Sequence, residues 1–157
     1  MINQNIKTFG INLQYIREDR KLTFKELSKK AKYDRQSIPL VEYGEKNIKF
    51  QTAFNLAKAL DVSFPMMFSS KIKEMDRSKL NEYKFQDDDF LMVFAANIKR
   101  HMSLTKLSQA KVADMVGLQY ETVSRILTGT HKNPYVNHLA QMATAAGTNL
   151  YVLFTRK

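Results

Sequence analysis

The sequence predicts an all-α protein in which one five-helix unit is written twice. Three observations predict it. Apolar positions recur at a shift of 85 residues: Ile6 falls on Leu91, Phe9 on Phe94, Leu13 on Ile98, Leu27 on Val112, Ile38 on Val123 and Val41 on Ile126. Punctuation recurs with them, since Gly44 falls on Gly129; beyond that glycine the shift becomes 86, and Ala57 meets Ala143 and Phe68 meets Phe154. Within each copy the apolar residues keep the period of amphipathic helices. Identities are few, so the repeat is one of fold before it is one of function. The division is residues 1–70, a charged connector over 71–89, and residues 90–157.

The elements follow in order. An amphipathic stretch over about Asn5 to Arg20 predicts the first helix. Thr23 followed by Glu26 is a capping-box signature, and the helix it opens ends near Ala31. Lys32-Tyr33 is a turn, and Asp34 is a candidate N-cap for a third helix that runs to Tyr43 and stops at Gly44. Phe50 to Leu60 is the fourth helix, and a last turn lies around Pro65 to Phe68. In the second copy, Asp87 to Asp89 favour a helix start, with the helix itself over Phe90 to about His101. Ser108 caps the next, to Val116; Gly117 makes the turn, Tyr120 to Leu127 follows and Gly129 ends it. Tyr135 to Ala146 is the fourth helix. The tail, Leu150 to Thr155, is either a helical turn or a short strand, and periodicity does not decide between them. The connector is charged, lacks a wide apolar face and reads as a spacer.

Composition narrows the function. Lys and Arg number 25 against 15 Asp and Glu, a formal charge of +10 over 157 residues. Residues 1–70 carry +5, residues 71–89 carry −1 and residues 90–157 carry +6, so two basic blocks flank a near-neutral joint. That field suits a polyanion. With no cysteine there is no disulfide scaffold, thiol nucleophile or thiolate metal site. The three histidines, His101, His131 and His138, form no tight pair at ligand spacing, and neither a metal nor a cofactor is expected. No catalytic constellation appears, so no enzyme is predicted. No apolar run reaches the ~18 residues of a membrane span, and the first residues lack the order of a signal peptide. A cytoplasmic protein is expected.

Two short helices joined by a tight turn inside such a unit are a DNA-reading device: the first crosses the backbone and the second enters the major groove. The run Leu107 to Gly129 carries the pattern, with Ser108-Gln109 at the helix start, Ala113, Gly117 in the turn, Thr122 to Ile126 and the closing Gly129. It closely resembles the Xre-type, lambda-repressor-like helix-turn-helix family over about 90–154. The first copy resembles the same family over about 6–68 through Arg17, Leu22-Thr23, Glu26-Leu27, Ser37-Ile38, Glu42, Gly44 and Ala57 to Ser63. The resemblance implies an ion pair between Arg17 and Glu42. The second copy has Met102 and Leu127 there, and joint replacement of a buried pair by apolar residues is often neutral or favourable.

In the second copy the groove candidates are Gln119, Tyr120, Glu121, Thr122 and Arg125, whose side chains match the edges of bases. The competing reading for Arg125 is an ion pair with Glu121, four residues earlier. The resemblance gives Gln109 a phosphate contact; Lys106, Lys111, Thr130, His131, Lys132 and Asn133 flank it, and Lys46 and Asn47 are the counterparts of Lys132 and Asn133. The first copy offers Arg35, Gln36, Ser37 and Leu40, with two departures. Phe24 stands where the family has its phosphate-contacting glutamine. Pro39 stands inside the expected recognition helix, which must start late or bend unless the proline lies in its first turn.

The resulting expectation is a binder of double-stranded DNA, either a monomer acting as a pseudo-dimer or a homodimer, reading successive major grooves. Its role is transcriptional repression or accessory binding near an origin on a mobile element; small tandem proteins of this kind resemble regulators of Gram-positive conjugative plasmids. The rival is a protein–protein adaptor or antitoxin-like scaffold that kept the fold and lost DNA reading, and the steep salt dependence of phosphate contacts separates the two.

Overall fold

The computed structural model describes residues 3–76, 80 and 89–155, with Asp89 described in its backbone only. Asp87 and Asp88 and most of the connector lie outside the described residues. Among these residues the chain is helical, with α1 (Gln4–Asp19), α2 (Phe24–Ala31), α3 (Ile38–Glu42), α4 (Phe50–Ala59), α5 (Asp89–Leu104), α6 (Gln109–Val116), α7 (Tyr120–Leu127), α8 (Val136–Ala145) and α9 (Leu150–Phe154). Short 3-10 turns cover Arg35–Ser37, Phe64–Phe68 and Ile72–Glu74.

The local chemistry that starts and stops these helices is in place. Thr23 accepts from the Glu26 amide at 3.0 Å while the Glu26 carboxylate accepts from the Thr23 amide at 2.9 Å, closing a capping box. These hydrogen bonds hold the Glu26 carboxyl below the usual range. Ser108 caps α6 through the Lys111 amide at 3.0 Å, and Asn149 caps α9 through the Val152 amide at 2.9 Å. The tail is therefore helical. Pro39 sits in the first turn of α3, where its missing amide costs nothing, and the helix it enters starts late, at Ile38.

Positive-φ residues punctuate both copies alike. Lys21 corresponds to Lys106, Lys32 to Gly117, Gly44 to Gly129 and Asp61 to Gly147, at shifts of 85 and then 86. A side-chain feature recurs too. The Asn12 amide donates to the carbonyls of Met67 and Ser69, at 2.9 and 2.8 Å. The Asn97 amide donates to those of Leu153 and Thr155, at 2.9 and 3.1 Å. Each asparagine is buried and ties the first helix of its half to the last turn.

The buried apolar residues of both halves form one continuous core. Phenylalanines fill its centre, and several ring pairs cross between the halves: Phe64 with Phe154 at 4.8 Å, Phe64 with Phe90 at 5.4 Å and Phe68 with Phe154 at 5.6 Å. Burial of such large rings supplies much of the adhesion, at about 25 cal/mol per Å² of apolar surface. Backbone groups complete the junction. Lys49 and Tyr135 form an isolated antiparallel bridge, in which the Phe50 amide donates to Pro134 and the Val136 amide donates to Ile48, each at 2.8 Å. Positions 48, 49 and 50 become 134, 135 and 136 on adding 86. The exchange is therefore reciprocal between equivalent residues, the pattern of an isologous two-fold contact.

The connector also departs from a simple spacer. Ile72 and Leu80 are buried, and the Ser63 amide donates to the Leu80 carbonyl at 2.8 Å. Two apolar residues scattered among charges are too sparse to write a helical face, yet they suffice to pin a segment onto a core.

Candidate nucleic-acid interface

The pair α6 and α7 of the second copy is built by burial on one side and solvation on the other. Val123, Ile126 and Leu127 of α7 are buried, and Val112 and Ala113 of α6 lie beneath them. Gly117, at φ 71°, turns the chain, and the Leu118 amide closes on the Ala113 carbonyl at 3.0 Å. The outward face of α7 presents Gln119, Tyr120, Glu121 and Arg125 to solvent, with Thr122 half-buried. Arg125 and Glu121 do not form an ion pair with each other; among the described residues, ion pairs include Arg17 with Glu42, Arg17 with Glu18 and Arg20 with Asp19. Gln109 is half-buried at the start of α6, its amide 3.5 Å from the Tyr120 carbonyl. Lys106 and Lys111 are exposed.

The loop after α7 folds back on the helix end. The amides of Thr130 and His131 both donate to the Arg125 carbonyl, at 2.9 and 3.2 Å. Thr130 and Lys132 are exposed, and His131 is half-buried. Burial, then the charges of Arg125 and Lys49, push the His131 imidazole below its ordinary pKa. Asn133 is exposed; its Oδ1 accepts from the Gln51 amide at 2.9 Å, at the start of α4 in the other half, which leaves its Nδ2 as a donor. His138 is half-buried against the Tyr135 ring at 5.5 Å, and burial lowers its pKa as well.

The first copy presents a shorter and different face. Arg35, Gln36 and Leu40 are exposed, whereas Ser37 is buried and donates its hydroxyl to Asp34 at 2.8 Å. The 3-10 turn Arg35–Ser37 rotates Ser37 inward, so it does not join the exposed set. The loop repeats the fold-back, the Glu45 amide donating to the Leu40 carbonyl at 2.8 Å, and Lys46 and Asn47 are exposed. Phe24 lies under the Arg17 guanidinium, 4.2 Å from ring centroid to Cζ. Arg17 in turn donates from Nε and Nη2 to the two Glu42 oxygens, at 2.6 and 3.2 Å, and from Nη1 to the Leu22 carbonyl at 3.0 Å.

Two surface residues lie outside the set picked by residue chemistry. Tyr43 is 66% exposed at the end of α3. Lys49, 5.3 Å from the Tyr135 ring, is exposed at the bridge between the two post-helix loops. The lysine's position at the junction is a tertiary fact, with no sequence signal to announce it.

Residues 13–66 match a helix-turn-helix family model, a span from the middle of α1 into the turn at Phe64–Phe68. The match falls on the first copy, the one that the sequence reads as divergent. It supports the helix-turn-helix reading of those residues. Comparison with curated proteins finds no match. Among the described residues, no group of three His, Asp or Glu side chains is placed to hold a metal ion. No helix among them is long and apolar enough to cross a membrane.

Proposed function

We propose that this protein binds double-stranded DNA through two helix-turn-helix units, 1–70 and 90–157, fused as a pseudo-dimer. One observation carries the reading. The reciprocal bridge at Lys49 and Tyr135 joins the loops that follow α3 and α7, so the exposed polar face of α7 lies on one side of a two-fold junction, and exposed Arg35, Gln36 and Leu40 on the other. That is the arrangement by which helix-turn-helix dimers set two recognition helices about one helical turn, ~34–36 Å, apart. The charge of +10 supports a polyanionic partner. Tyr120, Glu121 and Arg125, with Gln119 and Thr122, read bases from α7, and Arg35 and Gln36 do so from the turn before α3, with Leu40 from α3 itself. Lys106, Lys111, Thr130, His131, Lys132 and Lys46 meet phosphates, joined by Gln109, Asn47 and, through its amide nitrogen, Asn133.

Because the halves share a core, their spacing is set by packing and not by connector length. A rigid occupant of this kind suits a cytoplasmic repressor that occludes a promoter, or an accessory factor seated beside an origin of a mobile element. Selection of bound fragments from random duplex DNA at near-physiological salt tests the reading. Two half-motifs about one turn apart are expected. No enrichment, together with binding that ignores salt, would sink it.

A second reading has its own observation. Leu40 and Tyr43, 40% and 66% exposed, give the first copy an apolar-rimmed face, and Phe24 is committed to Arg17. Recovery of one half-motif only would assign that face to a protein partner.

A further inference from the structure

We propose that the DNA site is directional: two unlike half-sites in inverted orientation at one fixed spacing, occupied by the chain in a single orientation. The inference rests on the DNA-binding reading and deepens it.

Inversion follows from the reciprocity of the junction. The Phe50 amide donates to Pro134 as the Val136 amide donates to Ile48. A two-fold contact turns one head by half a rotation relative to the other, so the heads meet antiparallel strands.

Fixed spacing follows from the number and kind of ties between the halves. Besides the bridge, the Leu150 amide donates to Asn5 Oδ1 at 2.9 Å and the Gln51 amide to Asn133 Oδ1 at 2.9 Å. The phenylalanine core lies between them. A hinge motion would break these bonds together and open the core.

Unlikeness follows from the two exposed faces. At equivalent positions, 85 residues apart, Arg35 corresponds to Tyr120, Gln36 to Glu121 and Leu40 to Arg125. The pairs differ in charge, size and hydrogen-bonding sense. α3 is also entered through a 3-10 turn, while α7 is a continuous helix. A perfect palindrome would satisfy one head and mismatch the other. A homodimer has no orientation on its operator, but this fused chain does.

The test uses the full chain and the selected duplex. Comparison duplexes carry the half-site of the second copy twice in inverted orientation, the two half-sites as a direct repeat, or the selected site with about 5 bp inserted, half a helical turn. The selected duplex is expected to bind at least about tenfold more tightly than each of these. The chain has no cysteine, so Asp114→Cys gives one exposed attachment point for an iron–EDTA cleavage reagent. Cutting on one side of the site is expected. Equal affinity for the palindrome, tolerance of the insertion or equal cutting on both sides overturns the directional site while DNA binding stands. Loss of binding to every duplex, even at low salt, overturns the DNA-binding reading and this inference with it.

Discussion

Arg17 Nε lies 2.6 Å from Glu42 Oε2, and the carboxylate it grips has a side chain only 2% exposed. The pair ties α1 to α3, and Phe24 stacks on the same guanidinium. At the equivalent positions the second copy buries Met102 and Leu127. The molecule thus holds both solutions to one packing problem. Removing one partner leaves an uncompensated charge in a dry site, at a cost of about 3–5 kcal/mol, whereas replacing both with packed apolar residues is close to neutral. Arg17→Met and Glu42→Leu should each lower the urea midpoint sharply, and the double variant should recover most of the loss. A double variant as unstable as the sum of the singles would refute the account.

At Gly10 the backbone of α1 meets the backbone of α3. A Cβ built on Gly10 would stand 2.5 Å from the carbonyl oxygens of both Val41 and Glu42. Backbone atoms cannot swing aside as a side-chain tip can. Gly10→Ala should therefore cost about 3 kcal/mol, the upper end for overpacking, despite the better helix propensity of alanine. The second copy has Ala95 at this position, buried at 3%. Ala95→Gly should cost only about 1 kcal/mol, the price of a glycine in a helix interior. Thermal unfolding of the two variants checks the contrast; equal shifts would mean that α1 can slide away from α3.

These positions also divide what the sequence makes legible from what it hides. Thr23 with Glu26, Ser108, Gly117 and Gly129 are local signals, read by neighbours within four residues, and the helices they bound sit where the spacing predicts. The shift of 85 is equally plain, because a core face must stay apolar in both copies. The junction is different. Its hydrogen bonds join backbone amides and carbonyls at 48, 50, 134 and 136, which any residue other than proline can donate and any residue can accept. Its phenylalanines look like ordinary core residues. Ser37 has the chemistry of a groove residue, but the 3-10 turn carries it inward. Asn133 has the chemistry of a phosphate ligand, and the Gln51 amide bound to its carbonyl oxygen fixes the side chain while leaving the amide nitrogen free to donate, a tie across the halves that residue type does not announce. Residue type nominates candidates, and tertiary pairing decides among them.

Acid should weaken the fold through two histidines. Burial first, then the Arg125 and Lys49 charges, lowers the pKa of His131; burial first, then His131, lowers that of His138. The folded state resists protonation that the unfolded chain accepts. Stability is thus flat above the ordinary imidazole pKa of about 6.5 and falls as pH drops below it toward the depressed folded values. Urea midpoints at pH 7.5, 6.5 and 5.5 should decline across the lower interval, and His138→Gln should flatten part of the slope. A midpoint that rises on acidification would contradict the burial of these rings.

On the proposed DNA-binding reading, Arg125 and Lys132 should separate base reading from phosphate contact. Arg125 stands exposed on the outer face of α7 with its carbonyl anchoring the loop that follows, so truncation removes the guanidinium without removing that anchor. Arg125→Ala should weaken binding by about 1–3 kcal/mol and relax preference at one base position. Lys132 lies in that loop, exposed and beyond the last turn of the helix. Lys132→Ala should weaken all sequences alike and reduce the slope of log K against log salt by about one. Binding isotherms on the selected and a scrambled duplex, each at several salt concentrations, measure both effects. If Arg125→Ala lowers affinity for both duplexes equally, its guanidinium sits on a phosphate, and base reading in this half passes to Tyr120 and Glu121.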